Sequence, residues 1–177
     1  MNAVYGGLYT ESARRFFGYW DSLPKKNLRP DREAFDPTHI PDLMRAVTML
    51  EIHSRTWIEM RLAGTGVCEA MGFNPTGSNM LEWQTPETRE AYLRLLEEQC
   101  RRPCGRRNML RARHADGSIV RTEVVSLPMS HVRSGHDMIL SYFCSLEVVG
   151  FGEHSYQILD REDTEWIDVG AGVPDWT

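Results

Sequence analysis

Between Arg107 and Val148 the chain reads as three β-strands in immediate succession, and that run restricts the fold more than any other feature. Arg107 to His114, Ile119 to His131 and Asp137 to Val148 are apolar and β-branched in character, and the turns between them are marked by Ala115-Asp116-Gly117-Ser118 and by Ser134-Gly135. Strands joined this tightly pair antiparallel with their neighbours, which gives a three-stranded meander. In the last strand Met138, Leu140 and Tyr142 point to one side and Ile139 and Phe143 to the other, so both faces of the sheet need cover.

The remaining segments supply that cover and more strands. Val47 to His53 and Trp57 to Ala63 are apolar, β-branched stretches separated by Ser54, Arg55 and Thr56, the pattern of a hairpin. Gly64 and Gly66 then lead into a short helical turn around Val67 to Met71, and Gly72, Pro75, Gly77 and Asn79 mark an irregular loop. Pro86 to Arg101 is the clearest helix: Thr85 stands at the cap, Pro86 in the first turn, Glu87 and Glu90 near the positive end of the dipole, and Tyr92, Leu95, Leu96 and Gln99 form an inner stripe. Near the start, Tyr9, Ala13, Phe16, Phe17 and Trp20 recur at helical spacing over Glu11 to Ser22, and Pro24 ends that helix. Pro24, Pro30, Pro37 and Pro41 punctuate a connector in which only short helical turns fit. The pattern divides the chain into an N-terminal helix over 1–24, a proline-rich connector over 25–46, a core over 47–148 and an acidic extension over 149–177. The core is a five-stranded antiparallel sheet of α+β type, with its helices between the second and third strands.

A chain of 177 residues with 41% hydrophobic and 25% charged residues has the composition of one packed domain. No apolar run reaches the roughly 18 residues that span a bilayer, and the first residues lack the pattern of a secretory signal, which predicts a cytoplasmic protein without membrane attachment. The net charge of −5 argues against nucleic acid as a partner. Its distribution is uneven: Phe151 to Thr177 holds seven acids against one base, Arg161. Cys68, Cys100, Cys104 and Cys144 read as free thiols, and the spacing of Cys100 and Cys104 lacks the second pair that a zinc knuckle requires.

Several stretches resemble one group within the PAS superfamily, the bacterial PAS family numbered five, first catalogued as a domain of unknown function. Tyr19-Trp20-Asp21-Ser22-Leu23 is similar to that group's opening helix, Phe35-Asp36-Pro37 and Ile40-Pro41-Asp42-Leu43 to its approach to the first strand, and Arg61-Leu62-Ala63-Gly64-Thr65 to its second-strand signature. Gly72, Gly77, the Asp116-Gly117-Ser118 turn and Leu127-Pro128 fit the remainder, so the resemblance runs over about residues 10 to 148. It implies a PAS-like five-stranded antiparallel sheet with helices on one face, an additional N-terminal helix, an internal pocket, a role in sensing or protein association, and frequent dimerisation. It implies no chemistry: PAS domains hold haem, flavins, small acids or nothing, and the cofactor, if any, is unknown here.

For the pocket, Met49, Met60, Leu62, Met80, Trp83, Tyr92, Met109 and Tyr142 are the candidate liners, and the same side chains could instead fill a closed core. The cysteine of light-sensing flavin relatives has no counterpart in Phe73-Asn74-Pro75-Thr76. His39, His53, His114, His131, His136 and His154 read as solvated or locally bonded rather than as haem or metal ligands. No nucleophile elbow, P-loop, dinucleotide fingerprint or HExxH motif is present, so no catalytic or metal-ligating residue is assigned and the chain reads as a non-enzyme. Arg101, Arg102, Arg106, Arg107, Arg111 and Arg113 admit three readings: an anion site, a solvated strand edge, which is favoured, or a surface onto which the acidic tail folds. Finally, Phe16, Phe17 and Trp20 present more aromatic surface than one narrow stripe needs, which predicts a homodimer through the N-terminal helix. The function expected is therefore a sensory or regulatory module that binds a small molecule or a separate signalling protein, with a ligand-free dimerisation module as the alternative.

Overall fold

A computed structural model describes residues 7–175. Helix α1 spans Glu11–Ser22; the Thr10 hydroxyl caps it by accepting from the Ala13 amide, and Glu11 stands in its first turn. Its buried face is Ala13, Phe16, Phe17 and Trp20, the spacing that the sequence sets out. The connector that follows holds three 3₁₀ turns, at Arg32–Ala34, Pro37–His39 and Met44–Ala46. It also holds a feature absent from the sequence reading: a miniature hairpin of β1 (Lys25–Lys26) and β2 (Arg29–Pro30), turned by Asn27 and Leu28 at positive φ.

Strands β3 (Val47–Ser54) and β4 (Trp57–Ala63) form the expected hairpin, followed by helix α2 (Thr65–Met71), a 3₁₀ turn at Met80–Trp83 and helix α3 (Pro86–Arg101). Gly64 explains its place in the second-strand signature: a Cβ there would stand 2.2 Å from the Met44 carbonyl oxygen, closer than any side chain tolerates. Then come β5 (Cys104–Arg113), β6 (Ser118–His131), β7 (His136–Phe151) and β8 (Gln157–Asp168). The large sheet runs β4-β3-β7-β6-β5-β8, antiparallel throughout.

The α+β arrangement is the one expected from the sequence, with a sixth strand added. β8 comes from the acidic extension and pairs along β5, so the arginine strand is interior to the sheet and not the solvated edge favoured above. Charge complementarity selects the pairing. Arg107 bonds Asp163 at 3.0 Å and Glu165 at 2.9 Å, while Arg111 binds Asp160 and lies 3.3 Å from Glu162. The ladder shifts register between Arg107 and Met109, close to Asp163, which adopts a positive φ of 47°.

Two apolar layers flank the sheet. One packs α1 and the connector on Met49, Leu127, Met129, Met138 and Leu140; the other packs α2, the 3₁₀ turn and α3 on Leu50, Leu110, Val124 and Ile139. This arrangement corrects the dimer argument. Phe16, Phe17 and Trp20 are all buried within the single chain: Phe16 stacks on Tyr142 with centroids 5.3 Å apart, and the Trp20 indole N–H donates to the Pro128 carbonyl at 3.1 Å. They meet the Met138, Leu140 and Tyr142 side of β7, whereas Ile139 faces the opposite layer and Phe143 packs there beside it. Buried within one chain, these three side chains have no surplus to present to a second copy.

Trp20→Ala should therefore destabilise the isolated domain by about 3–5 kcal/mol, the cost of emptying a large core site. Trp57, 43% exposed on β4, should tolerate the same change within about 0.5 kcal/mol. Urea denaturation of the two variants checks the contrast, and equal effects would show that α1 is not part of the folding unit.

Candidate ligand cavity

Beneath α2, the 3₁₀ turn and α3, the sheet leaves a cavity of about 420 Å³. Alternation along the strands decides what reaches it. From β5 come Arg106, Asn108, Leu110 and Ala112, the even-numbered residues; from β7 come Ser141, Phe143 and Ser145; Thr48 and Leu50 come from β3 and Val124 and Ser126 from β6. The first residues of β8 and those just before it close one side with Tyr156, Ile158 and Arg161.

Of the side chains singled out from the sequence, Met60, Met80, Trp83 and Tyr92 line this space, while Tyr142 borders it with its ring stacked on Phe16 in the layer under α1. Met49 and Leu62, which pair across the β3–β4 hairpin, belong to the layer under α1, and Met109 is buried on β5 between the cavity-facing Asn108 and Leu110. A register shift between Met49 and Leu50 separates the two sets, so that Met60 opposes Leu50 and faces the cavity while Leu62 does not. His114 also lies on the wall, and burial lowers its pKa, which keeps the ring neutral.

The electrostatics of the cavity rest on two arginines that sequence reasoning passed over as members of a run and of a tail. Arg106 is 1% exposed, and its Nε and Nη1 have no hydrogen-bond partner among the described residues. Arg161 donates to the Gln84 side-chain oxygen at 3.0 Å and to the Thr88 carbonyl at 3.4 Å. The Tyr92 ring lies near both guanidinium carbons, 5.5 Å from that of Arg106 and 4.3 Å from that of Arg161. Among the described residues no carboxylate pairs with either; the groups acting on them are Tyr92, Tyr156, Cys104 and each other. Burial lowers the pKa of Arg106, and it brings that of Arg161 down to about 10. The same burial pushes Tyr156 up to about 12 and raises Tyr92. The cavity thus carries positive charge in a low-dielectric space with vacant N–H donors. An anionic oxygen is the group that completes it.

A signal for Arg106 was present in the sequence. Within β5, Arg107, Arg111 and Arg113 share odd parity, the first two meeting acids of β8 and the third Glu153 and Gln157, while Arg106 alone has the parity of the apolar face. Because a buried donor without a partner is unfavourable by about 1–3 kcal/mol, Arg106→Met should leave the ligand-free protein equally stable or more stable by that order. Thermal unfolding in buffer free of organic anions checks this; a clear loss of stability would mean that the guanidinium already has a partner.

The fold agrees with the comparison to known families. The model of the PAS-domain family numbered five matches residues 8–143, from the residues before α1 through the first half of β7. No curated protein matches the chain. Tyr156, Ile158 and Arg161, with the whole of β8, lie beyond the matched span. With most of its length matched, the chain belongs to this PAS-domain family.

Proposed function

We propose that this PAS domain senses an organic anion, a small molecule with a carboxylate or phosphate group on a largely apolar body, held in the cavity beneath α3. One observation carries the reading: the guanidinium of Arg106, buried on the cavity wall, holds N–H donors without a partner among the described residues. The volume of about 420 Å³ falls in the range of small-molecule sites. Leu50, Met60, Met80, Trp83, Leu110 and Val124 would take the apolar part, with Arg106 and Arg161 on the anion. The reading is one of binding rather than turnover, since the ionisable groups gathered around Arg106, namely Arg161, Tyr92 and Tyr156, keep their protons at neutral pH. Closure of a ligand between the sheet and α3 would be conveyed to β8, whose Arg161 touches both, and from there to a separate signalling protein.

Calorimetric titration with a panel of aromatic and aliphatic carboxylates and organic phosphates tests this. One-to-one binding by some of them, abolished in Arg106→Met and absent for neutral amides of the same shape, is the expected result. Equal binding of acids and amides would overturn it.

A second reading, association of two copies, is favoured by a different element from the one expected. β3 accompanies β7 only from Asp137 to Tyr142, and among the described residues no strand pairs with β7 on that side beyond this point. The protruding part carries exposed Leu146, Val148, Val149 and Phe151, the last 79% exposed. A second copy adding its own β7 antiparallel would cover them. Val148→Lys should then convert a dimer into a folded monomer in sedimentation, and a monomeric unmodified protein at micromolar concentration would defeat this second reading.

A further inference from the structure

On the face of the sheet away from the cavity, where β3 meets the β6–β7 turn, three imidazoles gather round a buried carboxylate. Strand periodicity places them. Glu51 and His53 stand two apart on β3, Glu59 pairs with Glu51 across the β3–β4 hairpin, and His131 and His136 form the closing pair of the β6–β7 hairpin. The Glu51 side chain is 4% exposed. One of its oxygens, Oε1, accepts from Ser134 Oγ at 2.6 Å, His131 Nδ1 at 3.0 Å and His136 Nδ1 at 3.1 Å. His53 Nε2 lies 3.0 Å from Glu59 and 4.0 Å from the second oxygen of Glu51, with its ring edge-on to His136 at 4.4 Å between centroids.

Glu51 and Glu59 face a single guanidinium, which leaves one negative charge unmatched by arginine among the three imidazoles. Arg61 already serves both acids, with Nε 3.4 Å from Glu51 and Nη1 2.9 Å from Glu59. What remains is a set of imidazole nitrogens and one carboxylate oxygen, the donor types that ions of intermediate softness favour. Donor atoms of Glu51, His53 and His136 all lie within 4.8 Å of one another. Tetrahedral ligands at zinc distances stand roughly 3.4 Å apart, so rotation of partly exposed imidazoles suffices to close the set. We propose that Glu51, His53 and His136, completed by His131, bind a divalent transition-metal ion of the Zn²⁺ class. Glu59, released when His53 Nε2 turns to the ion, keeps its pairing with Arg61. An ion there would tie the end of β3 to the β6–β7 turn. The site lies on the opposite face from the cavity, and its success or failure is independent of the organic-anion reading.

Titration of chelator-treated protein with Zn²⁺ and with Co²⁺ tests the proposal. Expected are one equivalent bound, visible Co²⁺ bands of tetrahedral nitrogen and oxygen ligation, and a higher unfolding midpoint with Zn²⁺. His53→Gln, a change at a partly exposed side chain, should leave the metal-free midpoint and circular dichroism unchanged and weaken binding by at least about 10–100-fold. Absence of stoichiometric binding would overturn the site. So would undiminished binding in the His53→Gln/His136→Gln variant, or an intense near-ultraviolet thiolate band assigning the ion to Cys68, Cys100, Cys104 or Cys144.

Discussion

The pairing of β6 with β7 is the constraint on which the rest of the molecule depends. The two strands run together from the Ser118–Phe151 pair to the His131–His136 pair, and both carry apolar residues on alternate faces. A sheet so built cannot leave either face in water: Val125, Leu127, Met129, Met138 and Leu140 require α1, while Val124 and Ile139 require the helices between β4 and β5. The three-layer order follows from that demand. The buried Glu123 then fixes how α1 docks, because its carboxylate accepts from the amides of Tyr9 and Thr10 at 2.7 and 3.0 Å and from the Thr10 hydroxyl at 2.7 Å, at the positive end of the helix dipole.

The two layers have different consequences. Under α1 the packing is closed, with Trp20 and Phe16 against methionines and leucines and the one indole N–H satisfied. Beneath α3 the short helix α2 and the irregular segment after it leave space, and polar side chains enter it: Arg106, Asn108, Ser126, Ser141 and Arg161. Gln99 of α3 spans the sheet side by donating to the carbonyls of Cys104 and Ser126, at 3.2 and 3.1 Å. A core meant only to be filled has no use for two unneutralised guanidiniums, since apolar side chains of the same volume would pack there at less desolvation penalty. This is the physical ground for treating the cavity as a site.

Much of the fold was legible because its signals are local. The Asp116-Gly117 turn, the alternation of β5 to β7, the Thr85 and Pro86 start of α3 and the aromatic stripe of α1 each operate within a few residues. β8 was not legible in that way. Its apolar residues, Ile158, Trp166 and Ile167, are too few and too irregular to declare a strand, and what recruits it is the match between its acids and the arginines of β5, about fifty residues away in sequence. The same distance hid the shared cover of α1: Phe17 and Trp20 announce that they need burial but not that β6 provides it. The cavity was half legible, since Met60, Met80, Trp83 and Tyr92 follow from apolar character, whereas Arg106 needs the register of β5 and Arg161 needs β8. The histidines read as solvated because Glu51, which gathers them, is far from His131 and His136 in the chain.

The central claim is that the cavity is completed by an organic anion on Arg106. Mass spectrometry of the protein as purified, first under native and then under denaturing conditions, tests it most directly by weighing what the unmodified chain and Arg106→Met each retain. The account predicts a stoichiometric small molecule on the unmodified chain that ionises in negative mode and is missing from the variant, or its uptake from a mixture of organic acids by the unmodified chain alone. Retention of a neutral or basic molecule by both chains, or refusal of every acid by both, would contradict it.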